Sequence, residues 1–304
     1  MCIPVFRKEE ERMILKATAK VNLSLDVLKK RTDGYHDVRM IMQMTGMYDK
    51  IELTAVKNRP GISFFTNLSY IPSDENNLAF KAAKMLMDEF SVTDGLDIDL
   101  RKFIPVAAGL AGGSSDAAQV LIGTNRIFGL GLDNEQLMER GQRIGADVPY
   151  CIMGGTALAE GLGEKLTPLP QMPDCFLLLA KPQVSVSTKS VYKALKPEEI
   201  KLHPDVDGMM EAIRDGNLDG IAGRMANVLE GVTAPHYPVI KDIEKCMTEA
   251  GALAAVMSGS GPTVFGIFRD EKKAKACRDT VGRLFPARVF LTKPYSVGGS
   301  IYGE

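Results

Sequence analysis

A chain of 304 residues, 45% hydrophobic and 25% charged, has enough apolar material for two domains of ordinary size. Its 37 basic and 38 acidic residues leave a net charge of −1, which argues against a nucleic-acid binder, and no apolar run approaches the roughly 18–20 residues of a membrane span. Five scattered cysteines (Cys2, Cys151, Cys175, Cys246, Cys277), no Cys-x-x-Cys and three histidines exclude an ordinary structural zinc site and suit reduced thiols in a cytoplasm.

Residues 1–13 read as a variable extension. Their apolar patch is short and is followed by Arg7-Lys8-Glu9-Glu10-Glu11-Arg12, which does not suit a signal peptide. Alternation predicts strands at Ile14–Ala19, Val21–Val27, Ile51–Val56 and Ile62–Thr66. Leu78, Ala82, Leu86 and Phe90 share one helical face, and Leu96–Leu100 is a strand leading into a glycine-rich loop. Helices are expected at about Ser115–Phe128 and Glu135–Ile144. A second domain begins near Pro168, so the expected division is 1–167 and 168–304. Phe176–Ala180 reads as a buried strand. Helices follow at Val206–Arg214, Leu218–Val228 and Val239–Ala250. Leu253–Met257 and Thr263–Phe268 are strands around a glycine turn, Glu271–Leu284 is a helix and Arg288–Thr292 a final strand. The second half thus reads as a β-α-β-β-α-β split unit with extra helices.

The loop before the second helix carries the most chemistry. It runs Pro105-Val106-Ala107-Ala108-Gly109-Leu110-Ala111-Gly112-Gly113-Ser114-Ser115-Asp116. Glycine permits close backbone approach and positive φ. A helix start offers free N–H groups and a positive dipole end, a natural seat for phosphate. The same residues also suit an ordinary helix start with Ser114 or Ser115 as N-cap. The loop is neither a Walker A sequence nor a G-x-G-x-x-G fingerprint.

Four other segments are ambiguous alone. Lys20 in Ala19-Lys20-Val21-Asn22-Leu23 is either a surface charge or a buried functional group. Tyr35-His36 after Asp33-Gly34 is either packing or a ring-binding pair. Asp147 in Gly145-Ala146-Asp147-Val148-Pro149 either bonds to local backbone or acts chemically. Ser258-Gly259-Ser260-Gly261-Pro262 either closes a hairpin or borders a ligand.

Together and in this order, these segments resemble the GHMP kinase superfamily over a stretch from about Ile14 to the last strand. Gly-Tyr-His and Gly-Ala-Asp-Val-Pro point to the branch acting on a methylerythritol linked to a cytidine diphosphate, in non-mevalonate isoprenoid synthesis. The resemblance implies an α+β fold with an N-terminal domain like ribosomal protein S5 domain 2 and a C-terminal ferredoxin-like domain. It implies transfer of the γ-phosphoryl of ATP, with Mg²⁺, to the 2-hydroxyl of a small-molecule acceptor held in the interdomain cleft.

The resemblance also implies roles. Asp147 is the base and Lys20 its cationic partner. Pro105 to Ser115 hold the ATP phosphates, with Ser114 or Ser115 toward Mg²⁺, and Asn77 lies on the adenine side. Tyr35, His36 and Tyr192 take the cytosine. Asn22, Thr188 and Ser258, Gly259, Ser260 and Gly261 border the rest of the acceptor. Ala111 replaces a usual glycine, which is harmless at negative φ. Leu162 stands where a more polar residue is common. Rival readings are a homoserine- or mevalonate-type kinase of the same superfamily, or a non-catalytic ligand-binding relative.

Overall fold

The structure, a computed structural model, describes residues 11–295. The extension's first ten residues therefore lie outside the described part. The first half contains β1 (Arg12–Lys30), β2 (His36–Val56), β3 (Ile62–Thr66), α1 (Leu78–Glu89), β4 (Gly95–Arg101), α2 (Gly112–Ile127), α3 (Asn134–Gln142), α4 (Val148–Met153), β5 (Thr156–Gly161) and β6 (Lys165–Leu169). The second contains β7 (Phe176–Pro182), α5 (Thr188–Ala194), a 3-10 turn at Pro197–Glu199, α6 (Val206–Arg214), α7 (Leu218–Ala222), β8 (Ala226–Asn227), α8 (Glu230–Thr233), α9 (Val239–Glu249), β9 (Ala254–Met257), β10 (Val264–Phe268), α10 (Glu271–Leu284) and β11 (Ala287–Thr292).

The first sheet is built on one long antiparallel ribbon of β1 and β2. Two separate strands were expected where β1 runs unbroken. The reason is irregular register: shifts fall between Thr18 and Lys20 and between Asn22 and Ser24. Such bulges disturb alternation and re-aim side chains without ending a strand. β2 forks. Its first part pairs with β5 and its last part with β4, and β3 joins β4 in parallel. The sequence reading found only the Ile51–Val56 end of β2, because Arg39 to Tyr48 is rich in methionine and lacks clean alternation. β6 pairs with β5 and runs through the expected 167/168 division, so the second sheet begins only at Phe176.

That second sheet has the strand order β11-β7-β10-β9, antiparallel throughout. With α9 and α10 it forms the expected ferredoxin-like unit, and α5 to α8 are the extra helices. The stretch read as a helix over Leu218–Val228 is instead α7 followed by β8. β8 leaves its own half and pairs in parallel with β1 at Ser24 and Leu25. Tertiary pairing has overridden local pattern there.

Helix α2 is the buried centre of the first half. Ala117, Ala118, Val120 and Leu121 are fully buried against the β1–β2 ribbon. Gly123 lets it sit close, since a Cβ there would lie 2.3 Å from Leu53 Cδ1 and 2.6 Å from Leu15 Cδ1. This packing fixes where the helix N-terminus points.

Candidate active site

Between the two sheets lies a cavity of about 1190 Å³. The N-terminus of α2 opens onto it. The helix begins at Gly112 with Ala111 as N-cap, and no side chain caps it. The expected start near Ser115, with a serine cap, is therefore corrected: both serines lie inside the first turn. Ser115 N–H is the first to bond back, to Ala111 O at 2.9 Å. The Gly112, Gly113 and Ser114 amides precede it and have no intrahelical acceptor. Upstream, Ala107 (φ 50°), Gly109 (φ 74°) and Ala111 (φ 54°) alternate into the left-handed region. Left-handed residues interspersed in a turn converge neighbouring N–H groups into an anion-binding nest. Ala111 was harmless only at negative φ, so its actual backbone is strained.

Pro105 to Gly109 and Ala111 to Ser114 line the cavity. Leu110 does not; it is 1% exposed and packs in the core that includes Leu177, Leu179 and Phe265 of the second sheet. Ser115 is likewise buried beneath the helix, so of the two candidate metal-facing serines only Ser114 fronts the cavity. A Cβ on Gly145 would sit 3.8 Å from Ser114 Oγ, which brings the Gly145–Asp147 turn beside the loop.

Asp147 caps the short helix α4 but gives it no side-chain hydrogen bond. Its carboxylate instead faces Lys20, with Nζ to Oδ2 at 3.9 Å. Lys20 is buried, donates to Asn22 Oδ1 at 2.7 Å and anchors by its own N–H to Leu110 O at 3.1 Å. Strand alternation turns Lys20 and Asn22 toward the cavity while Ala19, Val21 and Leu23 pack in the core shared with Leu177, Leu179 and Phe265 of the second sheet. Lys20 is thus no solvated surface charge.

At another part of the same cavity the His36 and Tyr192 rings stand 5.4 Å apart, tilted by 39°. His36 is 7% exposed and its Nε2 is buried without a partner. Burial, and then the nearby charge of Lys30, push its pKa below the ordinary value. Burial, with Asp147 adding to it, pushes the Tyr192 phenol up. Tyr35 stands exposed at the rim.

Thr188, Gly259 and Ser260 also line the cavity, and the Thr188 and Ser260 hydroxyls are 2.8 Å apart. Ser258 and Gly261 lie behind this wall. Ser258 Oγ accepts from Asn22 N–H at 3.3 Å and donates to Gly109 O at 3.0 Å. Asn77 lines the cavity, but its amide is engaged as the N-cap of α1. Oδ1 accepts from Ala79 N–H and Nδ2 donates to Pro72 O, both at 2.9 Å.

The sequence reading missed a buried cluster under the glycine loop. Lys102 lies between Asp49 and Asp116, with Nζ 2.5 Å from Asp116 Oδ2. Asp49 Oδ1 also accepts the Ile104 N–H at 2.8 Å, fixing the turn into the loop. Burial opposes the Lys102 charge, yet Asp116 and Asp49 outweigh it and raise its pKa. Burial pushes the Asp116 carboxyl up, with Lys102 pulling the other way. No spacing rule joins residues 49, 102 and 116. Only the alternation-breaking charge of Lys102 beside a strand hinted at it. Among the described residues, no group of three or more His, Cys, Asp or Glu is arranged to hold a metal, and no helix is long and apolar enough to cross a membrane.

The architecture and cavity place the chain among known proteins. The GHMP kinases N terminal domain matches residues 77–155 and the GHMP kinases C terminal domain matches residues 209–287. The chain belongs to the GHMP kinases, enzymes that phosphorylate small molecules. It is 53% identical to the 4-diphosphocytidyl-2-C-methyl-D-erythritol kinase of Lachnospira eligens, over 94% of this chain and 99% of that protein. It is 47% identical to the enzyme of the same name from Alkaliphilus oremlandii, over 96% and 99%. A crystal structure of 4-(cytidine 5′-diphospho)-2C-methyl-D-erythritol kinase superposes with a TM-score of 0.79 at 31% identity, covering 93% of this chain and 100% of that one. A homoserine kinase from Cytophaga hutchinsonii shares the fold, with a TM-score of 0.77 at 18% identity over 96% and 98%.

Proposed function

We propose that this chain transfers the γ-phosphoryl of ATP to the 2-hydroxyl of 4-diphosphocytidyl-2-C-methyl-D-erythritol, a step of non-mevalonate isoprenoid synthesis. One observation carries the reading: Lys20 and Asp147 face each other at 3.9 Å in a cavity that also holds the glycine loop and the His36–Tyr192 pair.

Asp147 accepts the proton of the acceptor hydroxyl as its oxygen attacks the γ-phosphorus. The new O–P bond forms as the bond to the β-phosphate oxygen breaks, and ADP departs with that electron pair. Lys20 lowers the energy of the charge developing on the attacking oxygen. Phosphoryl transfer otherwise asks mainly for positioning and charge stabilisation. The free amides of Gly112, Gly113 and Ser114 and the dipole of α2 meet the ATP phosphates.

Mg²⁺ commonly binds through substrate phosphates and one or two protein oxygens. Ser114 Oγ, on the cavity wall beside the Asp147 turn, fits that need without a preformed carboxylate cluster. The ion supplies neutralisation of phosphate charge.

His36 meets the cytosine edge through Nε2, and Tyr192 and Tyr35 offer ring faces. Asn22, Thr188, Gly259 and Ser260 line the remainder. Asn77 shapes the adenine side as a cap more than as a contact. We assign the nucleotide chiefly to the first half and the acceptor to both, with the change of domain between Leu169 and Phe176. The setting we propose is cytoplasmic, in keeping with unbridged Cys151, Cys175, Cys246 and Cys277.

The test is an ADP-release assay of the purified protein with ATP and Mg²⁺, comparing the cytidyl acceptor with homoserine and mevalonate. Turnover confined to the cytidyl acceptor is expected. Preference for either of the others overturns the substrate, and no turnover with any of them favours a non-catalytic relative.

A further inference from the structure

Behind the Gly259–Ser260 wall runs the segment that joins α7 to α9, and its polar side chains converge on that wall. Asn227, 8% exposed, donates from Nδ2 to Met257 O and to Gly259 O, both at 2.7 Å. Its own Oδ1 accepts the Leu229 N–H at 3.0 Å, which fixes the amide's orientation. Glu230 Oε2 accepts the Met257 N–H at 2.9 Å. Thr233 Oγ1 donates to Ser260 O at 3.2 Å. Asn227 is also the second residue of β8, in register with Leu25, and Val228 N–H bonds Leu25 O at 3.0 Å. One buried amide therefore ties a turn of the second sheet to the strand that carries Lys20 and Asn22.

The turn needs such a tie. Gly259 and Gly261 both have positive φ, and the turn's internal bonds are Ser258 N–H to Thr263 O and Gly261 N–H to Ser258 O. Neither involves the groups of Gly259 and Ser260. Gly259 O and Ser260 O are instead held from behind by Asn227 and Thr233, which leaves the opposite side of these two residues toward the cavity. The Ser260 hydroxyl, 2.8 Å from Thr188 Oγ1, passes the constraint on to α5, the helix of Tyr192.

The geometry points to Asn227 as a positioning residue that sets the Gly259–Ser260 wall against the phosphoryl acceptor, with Glu230 and Thr233 as its supports. It touches no reacting atom and acts through the turn. The inference rests on reading Gly259 and Ser260 as the acceptor's border. The glycine loop that would hold ATP meets this turn at Ser258, to which Asn227 gives no bond, and has a brace of its own through Asp49 and Lys102. Loss of Asn227 therefore bears on the acceptor and spares the nucleotide.

The test pairs steady-state kinetics with hydrogen exchange of the Met257–Pro262 peptide in Asn227→Ala. Expected are faster exchange in that peptide, an acceptor KM raised about tenfold, and an ATP KM within about twofold of the parent. Unchanged exchange overturns the clamp. Faster exchange with an unchanged acceptor KM means the clamp is real but the wall does not border the acceptor, so the site reading is what fails. A parallel rise of both KM values overturns the selective role and leaves general loosening. Should Asn227→Ala not fold, Thr233→Val, which keeps the side-chain shape and removes only the donor to Ser260 O, is carried through the same two measurements. A smaller change of the same selectivity is expected, and no change in either measurement overturns the proposal.

Discussion

Ser258 Oγ donates a hydrogen bond to Gly109 O at 3.0 Å across 149 residues of sequence. The two glycine-rich turns, one from each half, are thus in direct contact. A change at the contact itself, at Ser258 or Gly109, is felt by both.

Gly109→Ala tests that contact. The new Cβ would lie 2.2 Å from Ser258 O, and the position has φ +74°. Backbone against backbone leaves no flexible side chain to yield. The variant should lose more than about 2 kcal/mol of stability, read by denaturant unfolding, and raise the KM values of both substrates.

Ala111→Gly is expected to act in the opposite direction. At φ 54° the alanine is strained. Relief of roughly 1–2 kcal/mol exceeds the roughly 0.4–1 kcal/mol that glycine gives back through a freer unfolded chain. A net gain of up to about 1.5 kcal/mol should appear as a higher midpoint in thermal or urea unfolding.

For Asp147→Asn the expected loss is in kcat, by about 10²–10⁴, with ATP binding by titration retained. Lys20→Met should lower kcat as well. Lys20→Met also leaves Asn22 Oδ1 without its 2.7 Å donor, so a rise in acceptor KM should accompany it. A kcat within about threefold of the parent for Asp147→Asn would remove Asp147 as base.

The histidine gives a pH dependence. Burial and Lys30 hold the His36 pKa below its ordinary value, so the ring is neutral at pH 7. On acidification the unfolded chain takes its proton first, near ~6.5, and folded stability falls with pH through the window below that value. Protonation of the folded form occurs lower still and adds a donor to the ring that we propose meets the cytosine. Acceptor KM should rise as pH falls below about 6, and the rise should be absent in His36→Gln while ATP KM follows neither change.

Removing Lys102 should cost most of all. Lys102→Met leaves Asp49 and Asp116 buried together without their cation. Breaking a buried pair in this way typically costs about 3–5 kcal/mol, so the variant should unfold far more readily or accumulate poorly. Lys102→Met with Asp116→Asn should recover part of that loss, since one of the two stranded charges is gone.

Local signals in the sequence were read well. Helix α10 runs over Glu271–Leu284 as expected, because Asp270 caps it and its apolar stripe has helical spacing. The loop was legible as a turn running into a helix because its glycines readily take positive φ, as Gly109 does. Its helix start was misread by three residues, since the serines looked like caps while the glycines were the first turn. What stayed hidden depends on chain-distant partners. β2 was half invisible because its Met-rich part becomes a strand only by pairing with β1 and β5. Asn227 and Lys102 are ordinary polar residues in the sequence, and their importance lies in atoms contributed from elsewhere in the fold.

β8 is two residues long, yet it covers β1 at Ser24 and Leu25, beside Asn22. The first half supplies no strand of its own for that position, as β8 is the terminal strand on that side of the sheet. A chain severed between Leu169 and Phe176 would leave its N-terminal fragment with naked ladder groups there. Open strand edges recruit other chains. The fragments would be obligate companions during production: made apart, the first would self-associate through β1, and made together, the second would cap it.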